Sequence, residues 1–360
     1  MSNLERDREK MKDILKMGSA FIGIIVGAGF ASGNEIMTYF TSFGLWGIAG
    51  AVFCTALFAY LGMTLTRLGS RMHTSSHKDV IYKISGRYLG FVVDAIIIFT
   101  LFGVGVVMLA GAGANLQQQF ALPSFAGSLL MIVLVFLTML LDVDKVVSVI
   151  GSITPFLIIT VIGVSVYCLT TMDTTFAVLD PVAQAVPTTL PNWFLSAVNY
   201  VSFNIALGAS MAIVMGGAER NERIAGWGGF VGGLGLGGLI LLSHLAIFSK
   251  VESVAGTELP MLAIINDISP VFAIFMSLVL YGMIFNTAVS MFYAFSARFI
   301  KAGTAKFRWF TAFALVIGYG LSFFGFTNLV SNFYPLVGYL GLFLVGALIV
   351  ASFGLKKKRG

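Results

Sequence analysis

Long apolar segments separated by short polar ones fill nearly the whole chain. Runs of roughly 20 apolar residues, each bounded by charged or turn-forming residues, predict transmembrane helices, and ten such runs are found. The predicted spans are 14–43, 44–67, 89–116, 125–141, 145–170, 193–218, 222–249, 269–298, 308–325 and 327–351.

The composition fits this pattern. The 360 residues are 58% apolar and only 11% charged, whereas about a quarter of the residues in a soluble domain are charged. The sequence therefore predicts an all-α, polytopic membrane protein that lies in the lipid bilayer.

The positive charges predict how the spans are oriented. An even number of spans places both termini on one side, and every Lys and Arg except Lys250 then lies on that side. Positively charged loops stay in the cytoplasm, so both termini are expected to be cytoplasmic. A net charge of +6 that is confined to loops and termini does not suggest a nucleic-acid partner. Residues 1–13 form a charged leader, 14–351 one transmembrane domain, and 352–360 a basic tail.

The ten spans divide into two halves, 14–170 and 193–351, separated by a polar stretch, Thr171 to Asn192. Because each half has five spans, the second half enters the membrane from the opposite face. Each half also begins with a span whose centre is small and polar, VGAGFASGNE at 26–35 and SFNIALGAS at 202–210. Inverted repeats with interrupted first helices are typical of secondary transporters, and we expect the first and sixth helices to be broken.

The motif at 26–35 predicts a binding site at the first break. Interrupted helices are tolerated at membrane depth where the freed backbone lines a cavity. If residues 27–32 unwind, the amides near Ser32, Gly33 and Asn34 suit a carboxylate, and the carbonyls near Ile25 to Gly27 suit a cation. The alternative is that these glycines only allow close helix packing, as the ladder GWGGFVGGLGLGG at 226–238 does. Asn34 and Glu35 beside the glycines favour a site.

Several motifs resemble the bacterial YkvI-type membrane proteins of the amino acid–polyamine–cation superfamily, which have the LeuT fold. These motifs are GAGFASGNE followed by GLWG, then SGRYLG before the third span and TELPML before the eighth. The resemblance covers essentially the whole chain. It implies ten transmembrane helices in a five-plus-five inverted repeat, with a bundle of spans one, two, six and seven rocking against spans three, four, eight and nine.

The resemblance also implies a sodium site and a substrate site. The sodium ligands would be the carbonyls of Gly27 and Phe30 with Asn286, Thr287 and Ser290 of span eight. Asn286 replaces the family's Ser or Thr, although an amide oxygen remains an acceptable ligand. The alternative is that Thr287 and Ser290 bond back to their own helix. The expected substrate-binding residues are Gly27, Gly29, Ser32, Gly33, Asn34, Phe203, Asn204 and Gly208.

Glu35 is the strongest candidate for coupling, because every Lys or Arg of the spans lies within three residues of a span end and none lies deep in a span to neutralise it. Burial without a cation favours its protonated form, as a proton-coupling carboxylate requires. Sodium is another neutraliser, and exposure to an aqueous vestibule is a third interpretation.

Other polar residues of the spans receive structural interpretations. Asp94 is expected to form an interfacial salt bridge near Lys83 and Arg87, and His244 to be an interfacial polar residue. Phe203 is a possible lid over the substrate, and Gly103 and Gly105 would give the chamber a small wall.

Together these features predict a secondary transporter of the bacterial inner membrane. It would couple Na+ or H+ to symport of a small, zwitterionic or anionic, amino-acid-like solute by alternating access. The alternative is a nutrient receptor of the same fold, like spore-germination subunits. No enzyme motif such as HExxH or GxSxG occurs in the sequence, and no cofactor beyond the coupling ion is expected.

Overall fold

The computed structural model describes residues 3–73, 77–140 and 154–357, and the regular elements in these ranges are helices. The part of predicted span five at 145–153 lies outside the described residues. The helices are α1 Asn3–Ile25, α2 Ala28–Ser32, α3 Asn34–Tyr39, α4 Trp46–Met72, α5 His77–Phe120, α6 Ser124–Thr138, α7 Thr154–Thr170, α8 Phe176–Gln184, α9 Trp193–Ala218, α10 Glu222–Ser249, α11 Val251–Val254, α12 Pro260–Ile268, α13 Pro270–Ala297, α14 Ala305–Ser322 and α15 Phe326–Lys357.

Six of the described helices are long and apolar enough to cross a membrane. They are Trp46–Met72, Gly90–Phe120, Trp193–Ala218, Glu222–Ser249, Pro270–Ala297 and Phe326–Val350, and two shorter apolar helices are Ser124–Thr138 and Ile158–Thr170. The predicted spans 14–43 and 308–325 correspond to α1–α3 and α14, which are not among these eight. The count of ten spans therefore stays a prediction.

Two groups of helices surround the interrupted first segment. One group is α1, α4, α9 and α10, with α10 packed along both α4 and α1 and α9 packed along α4. The other is α5, α6, α13 and α14, and α15 packs between α9 and α5. Here the face on which α1 begins is called the inner face, and the opposite face is called the outer face.

Glycines let α10 approach its neighbours at backbone distance. A Cβ atom on Gly229 would lie 2.3 Å from the carbonyl oxygen of Gly62 in α4, and one on Gly232 would lie 2.8 Å from that of Gly18 in α1. The ladder at 226–238 therefore has the packing role that its spacing indicates.

The predicted break in the sixth span is wrong, because α9 runs as one helix from Trp193 to Ala218. Its small and polar residues serve packing instead. A Cβ atom on Gly341 of α15 would lie 2.8 Å from the carbonyl oxygen of Ser202, and the Ser202 hydroxyl donates to the Gly338 carbonyl at 2.6 Å. A Cβ atom on Gly208 would lie 3.2 Å from the Ile24 side chain of α1. Close helix approach explains this composition without any loss of helical winding.

Candidate functional site

The first apolar segment leaves the helical conformation at Val26 and Gly27. The last regular bond of α1 joins the Val26 amide to the Ile22 carbonyl at 2.8 Å, and the next joins the Ala31 amide to the Gly27 carbonyl at 3.1 Å. Gly27 is extended, with φ −103° and ψ −172°. Within the described residues, no hydrogen bond reaches the carbonyls of residues 23–26 or leaves the amides of residues 27–30. The break therefore presents unpaired peptide groups of both kinds.

The unwound stretch is shorter than predicted. Residues 28–32 were expected to unwind together with Gly27, but Ala28–Ser32 forms one helical turn. The Ser32 hydroxyl donates to the Gly29 carbonyl at 2.7 Å and accepts from the Asn34 amide at 3.2 Å. The free amides are consequently those of residues 27–30, which lie nearer the inner face than the amides of Ser32, Gly33 and Asn34 that were expected to be free.

Gly33 makes a second bend between α2 and α3. Its φ of +82° is left-handed, and a Cβ atom would lie only 2.9 Å from the Met261 amide nitrogen. Only glycine accepts this backbone conformation without strain at so close a contact. Gly33 thus shapes the outer end of the break and does not line the cavity.

A cavity of about 360 Å³ adjoins the break on its inner side. Residues 23–29 line one wall, and α5, α9, α13 and α15 contribute the others. Exposure falls from 60% at Met211, near the inner end of α9, to 6% at Glu35. The cavity therefore opens toward the inner face and ends at Glu35.

Glu35 is the one acidic residue among the lining residues, which include no Lys, Arg or His. Its Oε2 accepts a hydrogen bond from the Tyr200 hydroxyl at 3.1 Å. A Cβ atom on Gly29 would overlap the other carboxyl oxygen, so the absence of a side chain at Gly29 makes room for the carboxylate.

The predicted ion ligands lie near one another, but several are already bonded. The Gly27 and Phe30 carbonyls accept from the Ala31 and Gly33 amides at 3.1 and 3.0 Å. Thr287 and Ser290 line the cavity, and their hydroxyls donate to the Met283 and Asn286 carbonyls of α13 at 3.1 and 2.9 Å. These hydroxyls therefore bond back to their own helix.

Asn286 differs from these two neighbours. Its Oδ1 atom is buried and accepts no hydrogen bond from the described residues, and the residue lines the same cavity. Because a buried polar atom without a partner is costly, this oxygen is suited to a bound cation or an N–H donor.

Phe203 and Asn204 reach the cavity from α9. The Phe203 ring stacks on Tyr334 of α15 with centroids 4.2 Å apart and is buried, and the Asn204 amide donates to the Tyr200 carbonyl at 2.9 Å. The prediction that Gly103 and Gly105 form a wall of the solute chamber is wrong, because Phe333 and Phe292 cover these glycines. Val104 and Met108 line the cavity instead.

Asn34 lies on the outer side of the break, away from the cavity. Its side-chain Nδ2 atom donates to the Glu258 backbone carbonyl at 2.8 Å and to the Thr327 hydroxyl at 3.0 Å. These bonds connect α3 to the segment before α12 and to the start of α15. The predicted substrate contact at Asn34 thus becomes a contact that closes the outer side.

The segment 258–261, here called the outer segment, covers this side. The Gln118 side chain accepts from the Leu259 amide and donates to the Leu259 carbonyl, both at 3.0 Å. Burial raises the pKa of the Glu258 carboxyl, and a hydrogen bond from the Thr327 backbone partly offsets this effect. The outer segment is therefore tied to α3, α5 and α15.

Asp94 and His244 differ from expectation in their partners. Asp94 forms its salt bridge with Arg298 at the end of α13, at 2.8 Å, while the side chains of Lys83 and Arg87 lie outside the described residues. His244 is fully buried and 3.2 Å from the Thr41 hydroxyl, not interfacial. Both residues connect helices.

Sequence reasoning missed Tyr200 and Tyr334. Tyr200 lies one turn before Asn204, so its position on the same face of α9 was a usable signal. Tyr334 precedes a proline within the last span, and nothing in that segment separates it from an ordinary packing aromatic.

The chain is similar to known proteins in both sequence and structure. No protein-family model matches it. The membrane protein YkvI of Bacillus subtilis (strain 168) is 27% identical over 336 residues, which cover 93% of this chain and 94% of YkvI. YyaD of the same organism is 26% identical over 330 residues, or 91% and 94% of the two chains. Neither name specifies a transported solute.

Solved structures establish the fold. MhsT in complex with L-phenylalanine superposes with a TM-score of 0.65 at 16% identity, over 92% of this chain and 88% of MhsT. An Eremococcus coleocola manganese transporter gives 0.59 at 15% identity, over 93% and 78%. Mhp1 in an inward-facing conformation gives 0.57 at 11%, over 93% and 75%. The predicted resemblance is confirmed: this membrane protein is similar to YkvI and YyaD over nearly its whole length, and it has the LeuT-like fold of known transporters.

Proposed function

We propose that the protein is a secondary transporter in which Na+ or H+ drives symport of a small zwitterionic, amino-acid-like solute. One observation carries the proposal. The unpaired peptide groups of the helix break, the Asn286 amide oxygen and the Glu35 carboxyl all border a single cavity between the two helix groups.

The cavity has complementary groups for both ends of an amino acid. The carbonyls of residues 23–26 accept N–H donors or a cation, and the amides of residues 27–30 donate to a carboxylate. Unpaired backbone groups at interrupted helices bind substrates and ions in this way in other transporters. No Lys, Arg or His is among the lining residues, so a second carboxylate on the solute would lack a cationic partner.

The rest of the lining favours an apolar side chain on the solute. Met108, Met211, Met283 and Met291 line the cavity together with Phe203 and Tyr334. Methionine adapts its shape to irregular ligands, and aromatic rings present large apolar faces. We therefore expect neutral amino acids with apolar side chains to bind better than acidic ones.

The coupling ion in this proposal is either a proton or a sodium ion, and each has its own binding group in the cavity. A proton would occupy Glu35, which has no basic neighbour in the lining. A sodium ion would use oxygen ligands, here the carbonyls of residues 23–26 with Asn286 Oδ1. This set replaces the predicted Gly27 and Phe30 carbonyls, which already accept hydrogen bonds.

The proposed alternating access rests on the difference between the two faces of the site, one open and one closed. The cavity opens to the inner face, while the outer segment, Asn34 and Thr327 close the outer side. Exchange between this conformation and its opposite requires the Asn34 contacts to break and the inner ends of α1 and α9 to approach α13.

The proposal is tested with purified protein in two steps. Thermal stabilisation by single amino acids, with and without sodium, identifies ligands because binding to the folded state raises its stability. Each ligand is then offered to proteoliposomes under an imposed sodium or proton gradient. Accumulation against the solute gradient supports symport, whereas binding without uptake under either gradient contradicts it and indicates a receptor.

Asn286→Ala tests whether sodium is the coupling ion at this site. If sodium occupies the site, removal of Asn286 Oδ1 should raise the sodium concentration needed for half-maximal uptake by about tenfold, the effect of one lost charge-assisted bond. Ser290→Ala is the matched control, because its hydroxyl is already bonded to the Asn286 carbonyl. An unchanged sodium requirement in Asn286→Ala would exclude this oxygen as an ion ligand.

A further inference from the structure

A second concave surface lies on the lipid-facing side, away from the solute cavity. It is a groove of about 510 Å³ between α5, the end of α13 and α14. Every lining residue is apolar, and five are phenylalanines: Phe99, Phe102, Phe295, Phe310 and Phe313. This surface is here called the aromatic groove.

The aromatic groove is preformed by ring packing. Phe295 lies 5.1 Å from Phe102 and 5.9 Å from Phe310, measured between ring centroids, and is nearly parallel to Phe310. Ala95 and Ala314 leave space between the rings. Such a channel, without polar atoms and open to the membrane, fits a saturated hydrocarbon chain.

The inner end of the groove is basic. Asp94, next to Ala95, is paired with Arg298, three residues beyond Phe295. Residues 298–308 contain four basic residues and no acidic one. Neither Lys301 nor Lys306 forms a salt bridge with any described residue, and both are exposed. Asp94 neutralises Arg298, but Lys301 and Lys306 leave one end of the apolar groove with positive charge that no described acid pairs with.

Lys306 is in register with the groove. Residues 306, 310, 313 and 317 follow one another at steps of four, three and four along α14, which places them on one face. Phe310, Phe313 and Ile317 line the groove, so Lys306 stands one turn beyond its inner end. Its flexible stem allows the ammonium group to reach the headgroup layer.

We propose that the aromatic groove binds one anionic phospholipid, with an acyl chain between the phenylalanine rings and the phosphate group at Lys306. The charge at the rim selects the headgroup, and the length of the groove holds the chain. Because α13 also lines the solute cavity through Asn286 and Met291, the lipid rests against a helix of the proposed transport site. The binding itself does not depend on the proposed transport function.

Native mass spectrometry of the full chain tests this proposal, with phosphatidylglycerol and phosphatidylcholine of identical acyl chains as probes. The wild type should retain one phosphatidylglycerol more tightly than phosphatidylcholine. Lys306→Gln should weaken phosphatidylglycerol binding about fivefold, as expected for one basic residue at a membrane surface. Arg308→Gln is the matched control, because it removes the same charge from the opposite face of α14.

Filling the groove tests the acyl-chain half of the site. Ala95→Phe, at an exposed groove position, should lower the binding of both lipids, whereas Ala56→Phe on the exposed face of α4 should not. Equal affinity of the wild type for the two lipids would overturn the proposal. So would equal losses in Lys306→Gln and Arg308→Gln, or unchanged binding by Ala95→Phe.

Discussion

The Tyr200 hydroxyl donates a hydrogen bond to the Oε2 atom of Glu35 at 3.1 Å. This bond joins α9 to the segment after the break, and Tyr200 is fully buried. A donor that contacts a carboxylate stabilises the charged form relative to the neutral form. Tyr200 is therefore a positioning residue for the Glu35 carboxylate in the proposed coupling.

Tyr200→Phe removes this donor while keeping the ring. A hydrogen bond to a charged group contributes about 1.5 kcal/mol or more, so the pH midpoint of uptake should rise by about one pH unit. The measurement is uptake into proteoliposomes as a function of pH. Tyr39→Phe is the control, because its hydroxyl bonds Asn199 and not Glu35. Equal midpoints in wild type and Tyr200→Phe would show that the bond does not tune Glu35.

Gly29→Ala should damage the site, because the new methyl group would overlap the Glu35 carboxyl oxygen. Overpacking of this kind costs about 1 to 3 kcal/mol, so solute affinity should fall at least about fivefold, as measured by isothermal titration calorimetry. Gly23→Ala is matched to it, since Gly23 lines the same cavity but has open space around its Cβ position. Comparable losses in both variants would contradict the placement of Glu35.

Asn34→Ala should loosen the outer closure. The two lost hydrogen bonds contribute about 1 kcal/mol each, which shifts the equilibrium toward an outward-open conformation. A cysteine at Ser32, which is buried on the outer side, should then react faster with a membrane-impermeant maleimide once Cys54 and Cys168 are replaced. The exposed Asn328 side chain donates to the Phe324 carbonyl, two residues before the start of its own helix, and does not contact α3 or the outer segment through a hydrogen bond among the described residues. Asn328→Ala should leave the rate unchanged, and an unchanged rate in Asn34→Ala would refute the closure.

Glu258 should make the outer closure dependent on pH. Burial in the closed conformation raises the pKa of its carboxyl above the ordinary value, so the closed conformation binds the proton more tightly than an open one. Closure is therefore favoured at acidic pH, and this contribution is lost as the pH rises through the raised pKa. The maleimide reaction at Ser32→Cys should accelerate over that range. Glu258→Gln should remove the dependence, and its persistence would assign it to another group.

The sequence pattern predicted an interruption in the first and in the sixth span, and only the first span is interrupted. Around Gly27, glycines occur beside a carboxylate with no basic residue deep in a span to neutralise it, and this combination favoured a break over simple close packing. In α9, Ser202, Asn204 and Gly208 gave a similar composition, yet Ser202 bonds α15, Gly208 packs against α1, and Asn204 bonds back to its own helix. Composition alone does not distinguish an unwound helix from one that packs closely, because both require small residues.

The sequence also could not predict which peptide groups of the first segment are free of hydrogen bonds. Glycines at 27, 29 and 33 permit a break at several places, and tertiary contacts choose among them. The Met261 amide against Gly33 and the Glu35 carboxyl against Gly29 fix two of these places. The first contact joins residues more than 200 positions apart, and the second joins residues on either side of the bend at Gly33, so no regular helical pattern encodes them.

In the proton-coupled form of the proposed mechanism, Glu35 carries the coupling charge at the end of the cavity beside the broken helix. The most direct measurement compares Glu35→Gln with the wild type in proteoliposomes loaded with solute. We expect the variant to exchange internal for external solute but no longer to accumulate it under a proton gradient, and we expect its exchange no longer to depend on pH. Accumulation by Glu35→Gln with the pH dependence of the wild type would contradict this mechanism.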